Sequence, residues 1–223
     1  MSNIHSLTKI WAVGSDYVPD LFKGPVEITE KIDGSMFAFG VNPEGKIVFR
    51  SKGKEMFFES PEKMFVPAIN YLTDHSELIS RELPPDTYIY GEYLAKPKHN
   101  VLAYGRIPKN HIIVFGVMRG QNFIKDYNMI QIFAEELGLE TVPLLYNGPV
   151  SNYEELSKYL ETDSVLGTQK VEGIVIKNYT AQCIVGNRVM PSFAKLVRQD
   201  FKEKHQKDWK ETMGKSAQID MFM

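Results

Sequence analysis

The chain is nearly devoid of cysteine. Cys183 stands alone, so no intramolecular disulfide can form and no thiolate cluster can hold zinc. The histidines, at 5, 75, 99, 111 and 205, fall at no metal-ligand spacing, which leaves a hard cation held by oxygen atoms as the metal to expect. Long apolar runs are missing too. Nothing approaches the roughly 20 residues a membrane helix needs, and Met1-Ser2-Asn3-Ile4-His5 lacks a basic stretch leading into an apolar one. A cytoplasmic location is the expectation. Nor is there an excess of one charge: Lys plus Arg number 26 against 28 Asp plus Glu, a formal net charge of -2. A nucleic-acid partner would therefore need a local basic surface rather than a basic coat. Internal repeats and low-complexity segments are absent as well.

What is present is an ordinary globular composition, 43% hydrophobic over 223 residues, enough for one main domain with a substantial core. β patterns dominate its centre. Val26 and Ile28 alternate with Glu27 and Thr29 in a half-buried strand that ends at Lys31. Asp33-Gly34 follows, and because Asp-Gly between alternating runs is a strong turn signal, a hairpin into a strand over 36–41 is predicted. On that strand Phe37, Phe39 and Val41 share one face, while Met36, Ala38 and Gly40 leave room on the other either for something bulky, such as a ligand, or for packing against a neighbouring strand. Lys46 to Ser51 forms a third strand bearing Arg50.

Ser60 and Pro61 read as the cap and first position of a helix buried through Phe65, Ala68, Ile69 and Leu72. Thr87 to Leu94 returns to β, with Tyr88, Tyr90 and Glu92 on one face; a carboxylate ending an apolar strand needs a partner. The irregular segment 95–109 gathers Lys96, Lys98, His99, Arg106 and Lys109, a surface suited to phosphates. Ile112 to Met118 reads as a central strand, Asp126 as a helix cap with Gly138 as the stop, and Ser151-Asn152-Tyr153-Glu154 as a capping box. In Val171 to Lys177, alternation puts Glu172 and Lys177 on opposite faces, so one site can hold both only if the strand bulges or ends before Lys177. Cys183 to Val185 reads as a separate short strand, and Ser192 to Val197 as one carrying Lys195, a charge that needs a counter-charge among its apolar neighbours.

Lys31 is the candidate nucleophile. A lysine amine has an unperturbed pKa near 10.4, so such a role calls for desolvation or nearby cations to release the free base. The residues that would surround it occur in order: Lys31-Ile32-Asp33-Gly34, Arg50-Ser51-Lys52, Tyr90-Gly91-Glu92, Val114-Phe115-Gly116-Val117, Glu172-Gly173-Ile174-Val175-Ile176-Lys177 and Ala194-Lys195-Leu196. This series resembles motifs I, Ia, III, IIIa, IV and V of the covalent nucleotidyltransferases, the superfamily of RNA ligases, DNA ligases and mRNA capping enzymes. Ser35-Met36 stand where DNA ligases and capping enzymes carry an arginine two positions past the glycine, which makes the RNA ligase 2-like group the nearer resemblance. The stretch from Lys195 to Lys204 is similar to that group as well.

The resemblance implies an α+β nucleotidyltransferase fold, the ATP-grasp-like adenylation fold of ligases, with largely antiparallel sheets flanked by helices. It implies an adenylation domain over 1–198 and a short helical tail over 199–223, in place of the family's further C-terminal domain. It also implies ATP and Mg²⁺ or Mn²⁺ as cofactors, and as partner an RNA with 5′-phosphate and 3′-hydroxyl ends, acted on by a monomer. Lys31 would take AMP from ATP. Glu30, Arg50, Glu92, Phe115, Glu172, Lys177 and Lys195 would bind the nucleotide, Glu172 also the metal; Lys96, Lys98, Arg106 and Arg198 would grip the polynucleotide. Two positions depart from the pattern: Val197 replaces the second lysine of motif V, and Gly116 the acid that often follows the motif IIIa aromatic. These departures, with the short tail, keep open a protein that binds nucleotide or RNA without joining it. A DNA ligase or guanylyltransferase on the same fold is the remaining alternative.

Overall fold

A computed structural model of the protein describes residues 4–7, 10–185 and 188–202. In chain order the elements are β1 (Trp11–Ala12), β2 (Val26–Lys31), β3 (Ser35–Val41), β4 (Ile47–Ser51), β5 (Glu55–Met56), α1 (Val66–Asp74), α2 (Ser76–Glu82) and β6 (Thr87–Tyr93). There follow β7 (Ile112–Arg119), β8 (Asn122–Phe123), α3 (Tyr127–Glu136), β9 (Glu140–Thr141), β10 (Leu144–Gly148), α4 (Tyr153–Ser157), β11 (Gly173–Val185) and β12 (Arg188–Val197). The strands form two sheets, one ordered β1-β12-β11-β2-β10, the other β5-β4-β3-β6-β7-β8 with β9 also on β7. All pairings are antiparallel except β1 with β12 and β7 with β9. This is the mixed α+β arrangement that the sequence predicts.

Each sheet buries one face under its own layer and turns the other toward a cleft. In the larger sheet, Phe37, Phe39, Phe49 and Ile89 pack against Phe65, Ala68, Ile69 and Leu72 of the α1 region and against Ile130, Ala134 and Leu137 of the α3 region. In the smaller sheet, Ile28, Ile174, Ile176, Ala194 and Leu196 pack against Val18, Leu21 and Leu156. Strand alternation then fixes what faces the cleft: along β12, Phe193, Lys195 and Val197 are half-buried while Ser192, Ala194 and Leu196 are buried.

Several expectations change once the chain is folded. The Asp33-Gly34 step is not a hairpin: β2 pairs with β10 and β11, and β3 with β4 and β6, so the step carries the chain from one sheet to the other. Its chemistry serves the crossing instead of a turn. The Asp33 carboxylate accepts from the backbone N–H groups of Val101 and Leu102, each at 2.8 Å. A Cβ on Gly34 would meet the Tyr93 carbonyl at 2.9 Å. The helix predicted from Ser60 begins later: a 3-10 turn over Lys63–Phe65 leads into α1 at Val66, while the Ser60 N–H closes a separate turn on the Phe57 carbonyl. The capping box moves by one residue: Asn152 accepts from the Glu155 N–H, and Glu155 in turn accepts from the Ser151 N–H. Cys183 to Val185 extends β11 instead of forming a strand of its own. The bulky group over Ala38 is protein, since Ile4, Leu7, Tyr88 and Tyr90 pack there. Of the expected tail, 199–202 are helical, and 203–223 lie outside the described residues.

Candidate active site

β2 lies between β11 and β10 in the smaller sheet and delivers Lys31 at its end, directly across from Gly173 of β11. Only glycine fits at 173: a Cβ there would lie 2.3 Å from the Leu196 carbonyl oxygen. Because β11 starts at Gly173, Glu172 sits outside the strand and escapes its alternation. Its Oε2 lies 2.8 Å from Lys31 Nζ, with Lys31 24% and Glu172 4% exposed. Lys177, five residues on, keeps to the alternation and lines the cleft with Val175 and Tyr179. Both therefore reach one site without a bulge between them and without the strand ending before Lys177: β11 runs on to Val185, and Glu172 lies just ahead of its first residue.

The cleft opens between the inner faces of the two sheets and holds a cavity of about 110 Å³. Glu30, Lys31, Glu92, Phe115 and Lys177 line it, joined by Thr29, Ile32, Val142 and a wholly apolar far end that includes Trp11, Met190 and Phe193. Its mixture of an apolar body with a few converging charges is that of a small-molecule site. Phe115 reaches it from an irregular position. The β6–β7 ladder pairs Tyr90 with Gly116 and Gly91 with Val114, so the register skips Phe115, which stands as the extra residue of a bulge.

Charge at the amine runs opposite to the sequence expectation. Burial pulls the Lys31 pKa down, but Glu172, Glu92 and Asp33 outweigh it and hold the amine above its usual value. Instead of neighbouring cations, the nucleotide-free site surrounds Lys31 with carboxylates and keeps it protonated. Glu172 is raised by burial, with Lys31 and Lys195 opposing. Burial, with Glu172 and Asp33 adding and Lys31 opposing, pushes Glu92 up to about 7. One Glu92 oxygen, Oε2, is buried with no hydrogen-bond partner among the described residues. Such an atom is costly to keep unless a ligand satisfies it.

The remaining predicted residues are distributed unevenly. Lys195 pairs in register with Val175 and lies close enough to oppose the shift at Glu172. Arg50 stays outside the cleft lining, its guanidinium donating to the carbonyls of Ile4 and Ser51. Glu30 accepts from Ser164 Oγ and the Val165 N–H, tying down the 164–165 segment. Lys96 and Lys98 are exposed, as the phosphate-gripping reading requires. Arg106 is already engaged, bidentate to Glu140 at 2.8 Å on each arm, and Arg198 is held by Asp200, Glu161 and the Leu160 carbonyl.

Sequence reasoning passed over three contributors. Asp33 fastens the 101–102 backbone beside the site. Thr29 presents into the cleft a buried hydroxyl that has no hydrogen-bond partner among the described residues. Glu27 pairs with Lys177 at 3.1 Å, in register across β2 and β11. Opposite charges at facing positions of an antiparallel pair would have flagged the last, had the pairing been known.

The RNA ligase family model matches residues 24–197, a span that holds Lys31 and every cleft-lining charge. No curated protein matches the sequence. Among solved structures the chain is similar to Naegleria gruberi RNA ligase. An arginine-to-alanine mutant of that enzyme with ATP and Mn superimposes with a TM-score of 0.66 at 17% identity, over 92% of this chain and 59% of that one. The form with PPi gives 0.63 at 16%, over 91% and 58%. At such identity the likeness is one of fold, and the chain spans less than two thirds of the length of those ligases.

Proposed function

The chain belongs to the RNA ligase family, and from that premise we propose that it is an ATP-dependent RNA ligase using Lys31 as its nucleophile. The observation that carries the proposal is the meeting of Lys31, at the end of β2, with Glu172 at 2.8 Å, beside Glu92 and the bulged Phe115 in one cleft. Lys31 Nζ would attack the α-phosphorus of ATP, forming a P–N bond as the bond to pyrophosphate breaks. AMP would pass to an RNA 5′-phosphate, and a 3′-hydroxyl would displace it to seal the strand. Splitting one transfer into two in this way is covalent catalysis. The protein would act as a cytoplasmic monomer.

Residue roles follow from placement. The free acceptor oxygen of Glu92 suits a ribose hydroxyl, and Phe115 offers a half-buried ring on which adenine can stack. Lys195, near Glu172, would neutralise phosphate charge. Arg50, bound to the N-terminal segment, would reach the ribose or an incoming 5′-phosphate only by exchanging the Ile4 carbonyl for it. Lys96 and Lys98 would contact the RNA backbone, whereas Arg106 and Arg198 would first have to leave their carboxylates.

The similar ligase is described with ATP, AMP and Mn, and the donor set here fits a divalent ion. Glu172, Glu92 and Asp33 outnumber the amine they surround, yet no group of three among the described residues could hold a metal alone. Mg²⁺ or Mn²⁺ would share Glu172 with the phosphates of ATP, the usual mode for Mg²⁺. When bound, the ion supplies the positive charge that favours the free amine and screens the phosphates. Until then the carboxylates store the proton on Lys31.

Incubation with labelled ATP or GTP and Mg²⁺ tests the proposal: a covalent adduct with ATP, lost in Lys31→Ala, is expected. An adduct with GTP alone would indicate a guanylyltransferase. None with either would leave a nucleotide- or RNA-binding protein, the reading that Val197, Gly116 and the protonated amine favour. Sealing compared on all-RNA, all-DNA and hybrid nicks then identifies the polynucleotide.

A further inference from the structure

Lys177 lines the same cleft, and its pair with Glu27 does not touch Lys31. Both side chains are sealed, 4% and 6% exposed, and they face each other in register on β2 and β11. Lys177 Nζ makes a second bond that leaves its own sheet: it donates at 3.0 Å to the carbonyl of Phe115. That carbonyl belongs to the bulged residue of β7, which the β6–β7 register skips. The carbonyl before it, of Val114, is taken by the Val142 N–H at 2.9 Å. Two successive carbonyls of β7 are thus claimed from outside the β6–β7 ladder, and the ring between them is turned into the cleft.

We propose that Glu27 and Lys177 are positioning residues that hold the Phe115 bulge, and with it the ring that stacks on the nucleotide base, from the opposite sheet. A bulge leaves a residue free of the ladder, so something else must fix its direction. Here a charge-assisted hydrogen bond does so, and Glu27 keeps the donor charged and aimed in a dry site. The strut also ties the two sheets together at the point where the base would lie between them. This assignment rests on the ligase reading for its nucleotide and on the hydrogen bonds alone for its mechanics.

Its test uses the full chain in four forms: wild type, Lys177→Met, the paired Glu27→Leu/Lys177→Met, and Phe115→Ala. The paired replacement keeps a well-packed apolar contact and removes no partner unequally, so it is the form expected to stay folded if Lys177→Met does not. In the nucleotide-free protein, amide exchange over 112–119 should quicken in the paired variant while 26–31 stays protected. For adenylation, KM for ATP should rise about tenfold, the size of one lost aromatic stack, with kcat changing less. Added to Phe115→Ala, the paired change should cost nothing more, because it acts through that ring. Unchanged exchange, an unchanged KM, or a full additional loss in the Phe115→Ala background would overturn the strut, the last by showing that Lys177 meets ATP directly. If wild type forms no adduct, the ligase reading fails, and exchange over 112–119 still decides whether the strut exists.

Discussion

Two lysine–glutamate pairs bridge β2 and the β11 region, and they differ in almost everything but chemistry. Lys31–Glu172 closes at 2.8 Å beside two further carboxylates, with the amine 24% exposed; Lys177–Glu27 closes at 3.1 Å and is sealed on both sides. The open pair is unbalanced. Its surplus of negative charge holds the Lys31 proton until cationic charge enters, which is the behaviour of a site prepared for a ligand. The sealed pair is balanced one against one, and the remaining bond of its amine goes to a backbone carbonyl. Burial lowers the Lys177 pKa while Glu27 opposes the fall, whereas at Lys31 the acids win. Similar pairs on the same two strands therefore divide into one for chemistry and one for architecture, according to what surrounds them.

Removing each lysine in turn gives the widest separation. Lys177→Met strands a buried carboxylate, so chemical denaturation should report a loss of about 3 to 5 kcal/mol. Lys31→Met also leaves the buried Glu172 without its cation, but beside a cleft where it can take up a proton, so it should cost less than Lys177→Met while abolishing the adduct. Equal stability losses in the two variants would erase the distinction.

Glu92 sharpens the comparison from the acid side. Its pKa in the folded protein is about 7 against a usual 4.5, so the native state binds more protons than the unfolded one between those values. Stability should therefore fall as pH rises from about 4.5 to 7, and the full penalty should persist above that window. Glu92→Gln removes it, and should stabilise the nucleotide-free protein by about 1 to 3 kcal/mol at pH 8 with little change at pH 4.5. The same variant should lose ATP affinity, the trade expected of a strained functional group. Melting curves at the two pH values, with and without ATP, would detect both effects.

Much of this was legible before folding. The order of Lys31, Glu92, Phe115, Glu172 and Lys195 pointed to one site through its resemblance to the family's motifs, whereas alternation alone would have misplaced Glu172, which lies just outside β11, and Phe115, which stands at a bulge. What stayed hidden depended on pairing between distant segments. Asp33-Gly34 carries the local signature of a hairpin, and only the separate partners of β2 and β3 make it a crossing between sheets. Glu27 looked like a solvated strand charge until β11 brought Lys177 opposite it, 150 residues later in the chain. Arg50 was legible as a residue but not as a contact, since the Ile4 carbonyl it meets lies in a lead-in with no periodicity. The sign of the pKa shift at Lys31 depends above all on Glu172 and Glu92, both far away in the chain, and could not be read from the neighbouring Asp33 alone.

The smallest expected effect bears on that sign. If carboxylates hold the Lys31 proton, the amine of the nucleotide-free protein should react more slowly with an acylating reagent at pH 8 than the exposed Lys96. Glu172 is the strongest of the opposing charges and also the hydrogen-bond acceptor. Glu172→Gln should therefore lower the Lys31 pKa and speed its labelling several-fold relative to Lys96. Lys177 is the internal control: burial lowers its pKa, yet the sealed cleft floor denies the reagent access, so it should remain unlabelled in both proteins. Peptide mass spectrometry would read all three lysines in one sample. Labelling of Lys31 as fast as Lys96 in the unmodified protein would mean that the amine is already free. Its restraint would then lie in access to ATP, and the contrast between the open and sealed pairs would rest on geometry alone.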